Sequence, residues 1–176
     1  LSGIATLASK FVEAVKPYKA KIMDTRKTTP GLRVLEKYAV AAGGGTNHRI
    51  GLYDQMLIKD NHLAAVGYDW GKVASAVSSA RKKRIRTEIE VQDMAQFRKA
   101  LEICPDVIML DNMGIKKVKE AVALRDNGHF ELLLEVSGGV NLRNAKKFAA
   151  AGVDMISIGA LTHSSQALDF SLEIVS

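Results

Sequence analysis

Five side chains that carry or can carry positive charge lie in three short stretches of the chain: Arg26, Lys27, His48, Arg49 and Lys59. Arginine matches planar carboxylates with two parallel hydrogen bonds, whereas lysine acts as a compact point charge. Each residue alone is expected to be solvated surface, but the set is assigned to three strand ends, which would bring the five side chains to one face of the fold. The set indicates a substrate with several negative charges. For His48, a hydrogen-bonding role and a titrating role both stay open.

Two carboxylates, Glu90 and Asp111, end successive predicted strands. Among so many cations, such a pair can hold Mg²⁺, accept hydrogen bonds from sugar hydroxyls, or balance charge as ion-pair partners. Alternation along the strand puts Glu88 on the same side as Glu90, but Glu90 lies nearer to the C-terminal end of the strand. Glu90 is therefore the better candidate of the two.

Two glycine-containing loops follow the last two predicted strands. The first is Ser137-Gly138-Gly139, which runs towards a predicted helix, and the second is Gly159-Ala160. Glycine lets the backbone approach an anion closely, and a helix N-terminus offers free N–H groups. One Gly-Gly pair usually marks a tight turn, whereas two such loops after consecutive strands favour a phosphate site.

These residues need a scaffold that brings strand ends together. Short β-branched runs alternate with helical stretches, which predicts a parallel α/β fold with strands at 21–24, 55–59, 86–91, 107–110, 131–136 and 154–158. Polar residues follow every strand, and in a barrel such positions converge on one face, whereas in an open doubly wound sheet they spread along an edge. We therefore predict an incomplete or irregular TIM-like α/β barrel with about six parallel strands, fewer than the usual eight.

Capping residues predict where several helices begin. Thr29-Pro30 reads as the N-cap and first residue of a helix that ends at the glycine run 43–45. That helix is expected to bury Leu32, Leu35 and Ala39 on one face.

An amphipathic helix is predicted over 4–16, and further N-caps at Asp69, Asp93 and Asn141. The helix that Asn141 caps is expected to place its N-terminus beside the Ser-Gly-Gly loop.

Composition narrows the functional classes. The chain has 176 residues, 47% of them hydrophobic and 25% charged, which is typical of a globular protein and excludes a disordered chain, a collagen-like repeat and a disulfide scaffold. We predict one catalytic domain over 1–176 and no membrane partner, since no run approaches the ~20 apolar residues of a spanning helix. The single cysteine, Cys104, is expected to be a buried thiol and to indicate the reducing cytoplasm.

The net charge of +6 fits nucleic acid, a membrane surface or a small polyanionic substrate equally well. The basic run 81–84 ends a predicted helix and precedes a strand, on the face opposite the polar strand ends. A nucleic-acid-binding module built on 81–86 stays as an alternative, although no aromatic residues interleave there for base stacking, and we predict no nucleic-acid partner. A Schiff-base aldolase that uses Lys59 is a second alternative.

Several motifs together resemble one family. They are DTRKTTPG (24–31), GGGTNHR (43–49), LIKDNH (57–62), TEIEV (87–91), MLDNM (109–113), SGG (137–139) and SIGALTHS (157–164). Together they resemble the quinolinate phosphoribosyltransferases, also called carboxylating nicotinate-nucleotide pyrophosphorylases, over nearly all of the chain.

The resemblance implies a reaction of NAD biosynthesis. Quinolinate reacts with 5-phosphoribosyl 1-pyrophosphate in the presence of Mg²⁺, giving nicotinate mononucleotide, pyrophosphate and CO₂. Matching positions imply that substrate-binding residues include Thr28 beside the five cationic ones, and that Lys27, Lys59, Glu90 and Asp111 are catalytic. Glu90 and Asp111 would face the ribose and the metal, directly or through water. The 5-phosphate would bind at Ser137, Gly138, Gly139 and Gly159.

The resemblance also implies a homodimer or higher homo-oligomer. In the family, a separate N-terminal α/β domain precedes LSGIAT and packs over the partner's barrel, where it supplies a further arginine. Here LSGIAT begins the chain. Two alternatives stay open: a related phosphoribosyltransferase for another acidic aromatic, and an inactive fragment of the enzyme.

Overall fold

The described part of the chain contains six short parallel strands, and eight helices precede, connect and follow them. The computed structural model describes residues 1–128 and 131–175. The elements are α1 Ser2–Val15, β1 Lys21–Met23, α2 Arg33–Ala42, β2 Met56–Ile58, α3 Asp60–Ala65, α4 Trp70–Lys82, β3 Thr87–Val91, α5 Met94–Ile103, β4 Val107–Asp111, α6 Ile115–Asp126, β5 Leu133–Ser137, α7 Ala145–Ala150, β6 Met155–Ser157 and α8 Ala160–His163.

The strands form one parallel sheet in the order β1-β6-β5-β4-β3-β2. Pairing of the first strand with the last is the connectivity of a barrel, and within the described residues the hydrogen-bonded ring is open between β1 and β2. A bridge between Met23 and Thr46 extends the sheet into this gap. The predicted incomplete α/β barrel is therefore confirmed.

Alternation along the strands divides their side chains between two environments. Ile89, Ile108 and Leu134 point outwards, where the helices bury them completely in the main apolar core. The residues next to them in the chain, including Glu88 and Glu135, point inwards, and both carboxyl side chains are almost fully buried. Charge inside the ring of strands is the feature that the site below depends on.

The first helix after β1 differs from its prediction. α2 begins at Arg33 with Leu32 as its N-cap, because Gly31 has φ +78°, a left-handed conformation that interrupts a helix. Thr29 is therefore not the N-cap. Leu32 and Leu35 are 43% and 47% exposed, so the expected apolar face was wrong except at Ala39.

Other local predictions have mixed outcomes. Asp69 and Asp93 cap α4 and α5 as expected. Asn141 does not cap α7: its side chain accepts the N–H of Arg143 in a preceding turn, and the helix starts only at Ala145. Cys104 is exposed rather than buried, because it ends α5 in a left-handed conformation with φ +56°.

Strand ends shift slightly from their predicted positions. β5 begins at Leu133, not at residue 131, and residues 60–65 after β2 form the short helix α3. Among the described residues, no helix combines the length and the apolar character that crossing a bilayer requires.

Candidate active site

A cavity of about 790 Å³ opens at the C-terminal ends of the strands. This is the face on which α/β barrels carry their active sites. All predicted site residues except Thr28 line it: Arg26, Lys27, His48, Arg49, Lys59, Glu90, Asp111, Ser137, Gly138, Gly139 and Gly159. A second groove, between α4 and α5, is lined by Trp70, Arg81 and Lys99 and lies away from the strand ends.

Four of the lining side chains, Arg26, Lys27, Arg49 and Lys59, form what we call the cationic rim. Burial, and then the charge of Arg26, lower the pKa of Arg49 below its usual value. The buried Nε of Arg26 has no hydrogen-bond partner within the described part of the chain. The two guanidinium groups repel each other, and Arg26 keeps one donor unused, so the arrangement suits an anion.

Backbone contacts fix the loop that carries the first two rim residues. The hydroxyl of Thr162 donates to the carbonyl of Lys27 at 2.6 Å, which ties α8 to the loop after β1. Thr28 lies outside the cavity lining, and its hydroxyl oxygen accepts the Nε–H of Arg33 at 3.0 Å. The Thr28 side chain therefore contacts Arg33 of α2 and not the cavity.

The two acids at the ends of β3 and β4 face the same space. Glu90 accepts a hydrogen bond from the ammonium group of Lys59 at 2.6 Å, and its side chain is only 7% exposed. Asp111 accepts the side-chain N–H of Asn112 at 2.8 Å. Because Glu90 is in register with Met109, Asp111 lies one pleat further up the neighbouring strand on the same face.

Below the rim lies a group that we call the buried acid cluster: His48, Glu88 and Glu135. His48 Nε2 lies 3.3 Å from a Glu88 oxygen and 3.5 Å from a Glu135 oxygen. Burial lowers the pKa of His48, but the contacts with Glu135 and Glu88 outweigh it and raise the pKa to about 10. Burial, and then the charge of Glu135, raise the pKa of Glu88.

A hydrogen bond to the His48 ring indicates which ring nitrogen carries the proton. Nδ1 of His48 accepts the backbone N–H of Arg49 at 2.8 Å, so the neutral ring carries its proton on Nε2, between the carboxylates. A second ring proton would lie on Nδ1 and would face the N–H group of Arg49. The proton to which the raised pKa refers is therefore shared among the side chains of the buried acid cluster. The three ligand atoms lie within 4.8 Å of one another, and a metal ion bound there would have to displace the Nε2 proton.

Close backbone packing forms the opposite wall. Gly138 has φ +85°, and a Cβ there would lie 2.3 Å from the Asn112 side-chain oxygen. A Cβ on Gly159 would meet His163 Nε2 at 3.0 Å and Lys27 Cδ at 3.3 Å. Since α7 starts only at Ala145, the loop 137–139 offers backbone groups and not the N-terminus of α7.

Comparison with known proteins identifies the family. The family described as "Quinolinate phosphoribosyl transferase, C-terminal domain" matches residues 4–173. The chain belongs to this family. The resemblance drawn from DTRKTTPG and the other motifs is thereby confirmed.

Named relatives agree with this assignment. The chain is 48% identical to the nicotinate-nucleotide pyrophosphorylase [carboxylating] of Mycobacterium leprae and 44% identical to a probable one of Bacillus subtilis, over 99% of its own length. The crystal structure of NadC from Streptococcus pyogenes superposes with a TM-score of 0.88 at 41% identity, covering 98% of this chain and 59% of that one. The chain spans 61% and 59% of the lengths of the two sequence relatives.

Sequence reasoning missed several residues of this quinolinate phosphoribosyl transferase domain. Glu135 interrupts an apolar strand, and a charge in such a strand was the available signal. His163 also lines the cavity, on the last turn of α8. Asp24 and Lys37 are buried beneath the rim, and only the three-dimensional structure shows their pairing.

Proposed function

We propose that this chain is the catalytic part of a decarboxylating quinolinate phosphoribosyltransferase. It would transfer the phosphoribosyl group of 5-phosphoribosyl 1-pyrophosphate to the ring nitrogen of quinolinate, with release of pyrophosphate and CO₂. One observation carries the proposal: four cationic side chains of the rim converge on a cavity that also contains two strand-end carboxylates. Family membership supports the same reaction.

The cavity offers separate places for the anionic groups. Arg26 and Arg49, with His48 behind them, would bind the two adjacent carboxylates of quinolinate, because guanidinium groups bind carboxylates bidentately. Lys27 would meet the pyrophosphate. The loop 137–139 and Gly159 would receive the 5-phosphate, where glycines allow close approach of the backbone.

The reaction develops positive charge on the sugar. As the bond to pyrophosphate breaks, the ribose gains oxocarbenium character, which the carboxylates of Glu90 and Asp111 would stabilise from fixed positions. Lys27 and Lys59 would stabilise the departing pyrophosphate. Because these groups are already oriented, little reorganisation is needed when the charge appears.

Decarboxylation then follows from the chemistry of the product. Ribosylation leaves the ring nitrogen positively charged, so the adjacent carboxylate can leave as CO₂ while its bonding electron pair stays on the ring carbon. The neighbouring cationic nitrogen stabilises that electron pair until a proton is added from water. The protein's part is to hold the ring and to limit access of water beforehand.

We propose Mg²⁺ as the metal that accompanies the sugar pyrophosphate. Hard carboxylate oxygens on two neighbouring strands fit this ion, which protein sites usually bind through one or two carboxylates and substrate phosphates. Glu90 and Asp111 would hold it, directly or through water, and Lys59 already neutralises one oxygen of Glu90. When bound, the ion would reduce the negative charge of the pyrophosphate.

We also propose that the chain works as a homodimer or higher homo-oligomer in the cytoplasm. Large apolar side chains are exposed along α2 and the following segment, namely Leu32, Val34, Leu35, Tyr38, Leu52 and Tyr53. A surface of this kind favours a protein partner. The lone Cys104 is consistent with a reducing compartment.

The test is a direct assay of the complete gene product that contains this chain. Quinolinate labelled in the carboxylate next to the nitrogen is incubated with 5-phosphoribosyl 1-pyrophosphate and Mg²⁺, and labelled CO₂ and nicotinate mononucleotide are measured. Both products should form at equal rates. Turnover of nicotinate but not of quinolinate would instead support a phosphoribosyltransferase for another acidic aromatic, and absence of any product would refute the proposal.

A further inference from the structure

The buried face of α2 is charged in the first half of the helix and apolar only at Ala39 and Val40. Glu36 and Lys37 are 4% and 3% exposed, and Arg33, one turn earlier on the same side, is partly buried. Residues three and four apart share one side of a helix. Because burial of a charge is costly unless the charge is paired and hydrogen-bonded, each of these side chains needs partners beneath the helix.

Lys37 and Asp24 form a buried ion pair that holds one residue of the site. The ammonium group of Lys37 donates to Asp24 Oδ1 at 2.5 Å and to the backbone carbonyl of His48 at 2.8 Å. The same Asp24 oxygen accepts the backbone N–H of His48 at 2.8 Å. The pair therefore binds both backbone polar groups of His48, and Asp24 itself is 0% exposed.

The neighbouring residue completes this support. The side-chain amide of Asn47 donates to Asp24 Oδ2 at 2.6 Å and to the carbonyl of Lys37 at 2.8 Å. On the other side, Thr46 donates its N–H to the carbonyl of Ile22 in β1 at 2.8 Å. The backbone over 46–48 is thus fixed from two directions immediately before Arg49 enters the cavity.

The other charged residues of α2 hold the loop after β1. Arg33 donates to the carbonyl of Arg26 and to that of Ile50, each at 3.2 Å, and Glu36 accepts the N–H of Thr29 at 3.1 Å. One helix therefore contacts the two loops that carry Arg26 and Arg49. Since α2 is rigid, it fixes one loop relative to the other.

We propose that Asp24 and Lys37 are positioning residues that set the separation between Arg26 and Arg49, and thereby select a substrate with two adjacent carboxylates. Neither residue is part of the cavity lining, so the pair acts through His48 and Arg49. This inference deepens the proposed function and rests on it. A general structural role would predict lost stability alone, whereas positioning predicts a selective loss of affinity for diacids.

The test compares Asp24→Asn with a matched control in the complete gene product. Asp154→Asn breaks another ion pair, partly buried, in which Arg125 donates to Asp154 at 2.5 Å, at the opposite end of the sheet. Phthalate serves as an unreactive adjacent diacid and benzoate as the monoacid, with affinities measured by calorimetry. Asp24→Asn should weaken phthalate binding roughly tenfold, the effect of one misaligned charge-assisted bond, and benzoate binding less than about threefold.

Amide hydrogen exchange gives an independent readout. Exchange of the His48 N–H, which donates to Asp24, should accelerate in Asp24→Asn and not in Asp154→Asn. If Asp24→Asn does not fold, Asn47→Ala at an exposed residue takes its place, with phthalate affinity expected to fall about threefold for one neutral hydrogen bond.

Three results would overturn the inference. Unchanged phthalate affinity in Asp24→Asn, or in Asn47→Ala when that variant is the one tested, refutes the positioning role. So does an equal loss of phthalate affinity in the Asp154→Asn control. If the unsubstituted protein binds benzoate but no phthalate, the proposed function itself fails, and that result is recognisable before any variant is made.

Discussion

Replacement of Glu88 by glutamine should stabilise the folded protein, although the residue lies inside the candidate site. Glu88 is 0% exposed, and its Oε1 has no hydrogen-bond partner among the described residues. Burial and the charge of Glu135 raise the pKa of Glu88, so its environment disfavours the ionised carboxylate overall. Glutamine keeps the shape, can still accept the hydrogen bond from Gln55, and removes the charge.

The geometry sets the expected size of the effect. The facing atoms of the two carboxylates lie within 4.8 Å, and at an effective dielectric constant of about 20 two such charges repel by about 3 kcal/mol. Attraction of Glu88 to His48 and Arg86 offsets part of this repulsion. We therefore expect Glu88→Gln to raise the free energy of unfolding at pH 8 by about 1–2 kcal/mol.

The gain should shrink as the solution is acidified. Because the pKa of Glu88 is raised in the folded state, the folded protein binds this proton more tightly than the unfolded chain, whose value is near 4.5. The unsubstituted protein therefore has the full stabilisation from this group below pH 4.5 and loses it as the pH rises through the folded-state pKa. Urea denaturation at pH 5 and pH 8 measures the difference between the two proteins directly.

An exposed carboxylate supplies the control. Glu102→Gln changes the same functional group where the side chain is 67% exposed, and should alter the free energy of unfolding by less than about 0.5 kcal/mol at either pH. If Glu88→Gln lowers stability at pH 8, or changes it equally at both pH values, the view of Glu88 as a destabilising buried charge is wrong.

Three further predictions concern activity. Lys59→Ala and Arg26→Ala should each lower kcat/KM by about 100-fold with little change in melting temperature, because each removes one or more charge-assisted bonds to an anion; turnover at the unsubstituted rate would refute the site assignment. Gly138→Ala should cost about 1–2 kcal/mol of stability and raise KM for the sugar pyrophosphate, since φ is +85° and the new Cβ would clash with Asn112. Removal of Mg²⁺ with a chelator should stop product formation while phthalate still binds in calorimetry; loss of both would contradict a metal role limited to the pyrophosphate.

Strand ends were the most predictable part of the fold. Short apolar runs followed by polar residues gave six strands within a few residues of their observed bounds, because a buried parallel strand must be apolar and its C-terminal end need not be. The positions of Lys59, Glu90 and Asp111 at the ends of predicted strands likewise predicted that they share one face of the barrel. The local sequence pattern was sufficient for these residues, because the position of a residue at a strand end depends only on the strand to which it belongs.

Helix α2 shows where local pattern fails. Its apolar residues Leu32 and Leu35 are exposed, whereas Glu36 and Lys37 are buried. A hydrophobic stripe predicts burial only when the surface beneath it is apolar. Here the surface beneath the first half of α2 consists of loop backbone and Asp24, which needs hydrogen-bond donors and a positive charge. Nothing in the helix sequence reveals that surface.

The buried acid cluster could not be predicted from the sequence for a related reason. Glu88 and Glu135 belong to strands that do not pair with each other, and His48 comes from the segment that crosses the gap between β1 and β2. Their proximity depends on closure of the ring of strands. A charge within an apolar strand marks a residue as unusual, but its partner becomes known only from the three-dimensional fold.

In the cavity, the cations lie at the mouth and the carboxylates lie deeper. This order follows from the kind of element that carries each group. The cationic rim lies mainly on loops, and long arginine and lysine side chains keep partial access to water there, which limits the cost of their charge. The carboxylates lie on strands, whose rigid backbone fixes short side chains at a defined depth. We propose that this order suits a substrate whose anionic groups bind at the rim and whose sugar develops positive charge beside Glu90 and Asp111. A site with cations alone would bind the same anions, but it would oppose the charge that forms during the reaction.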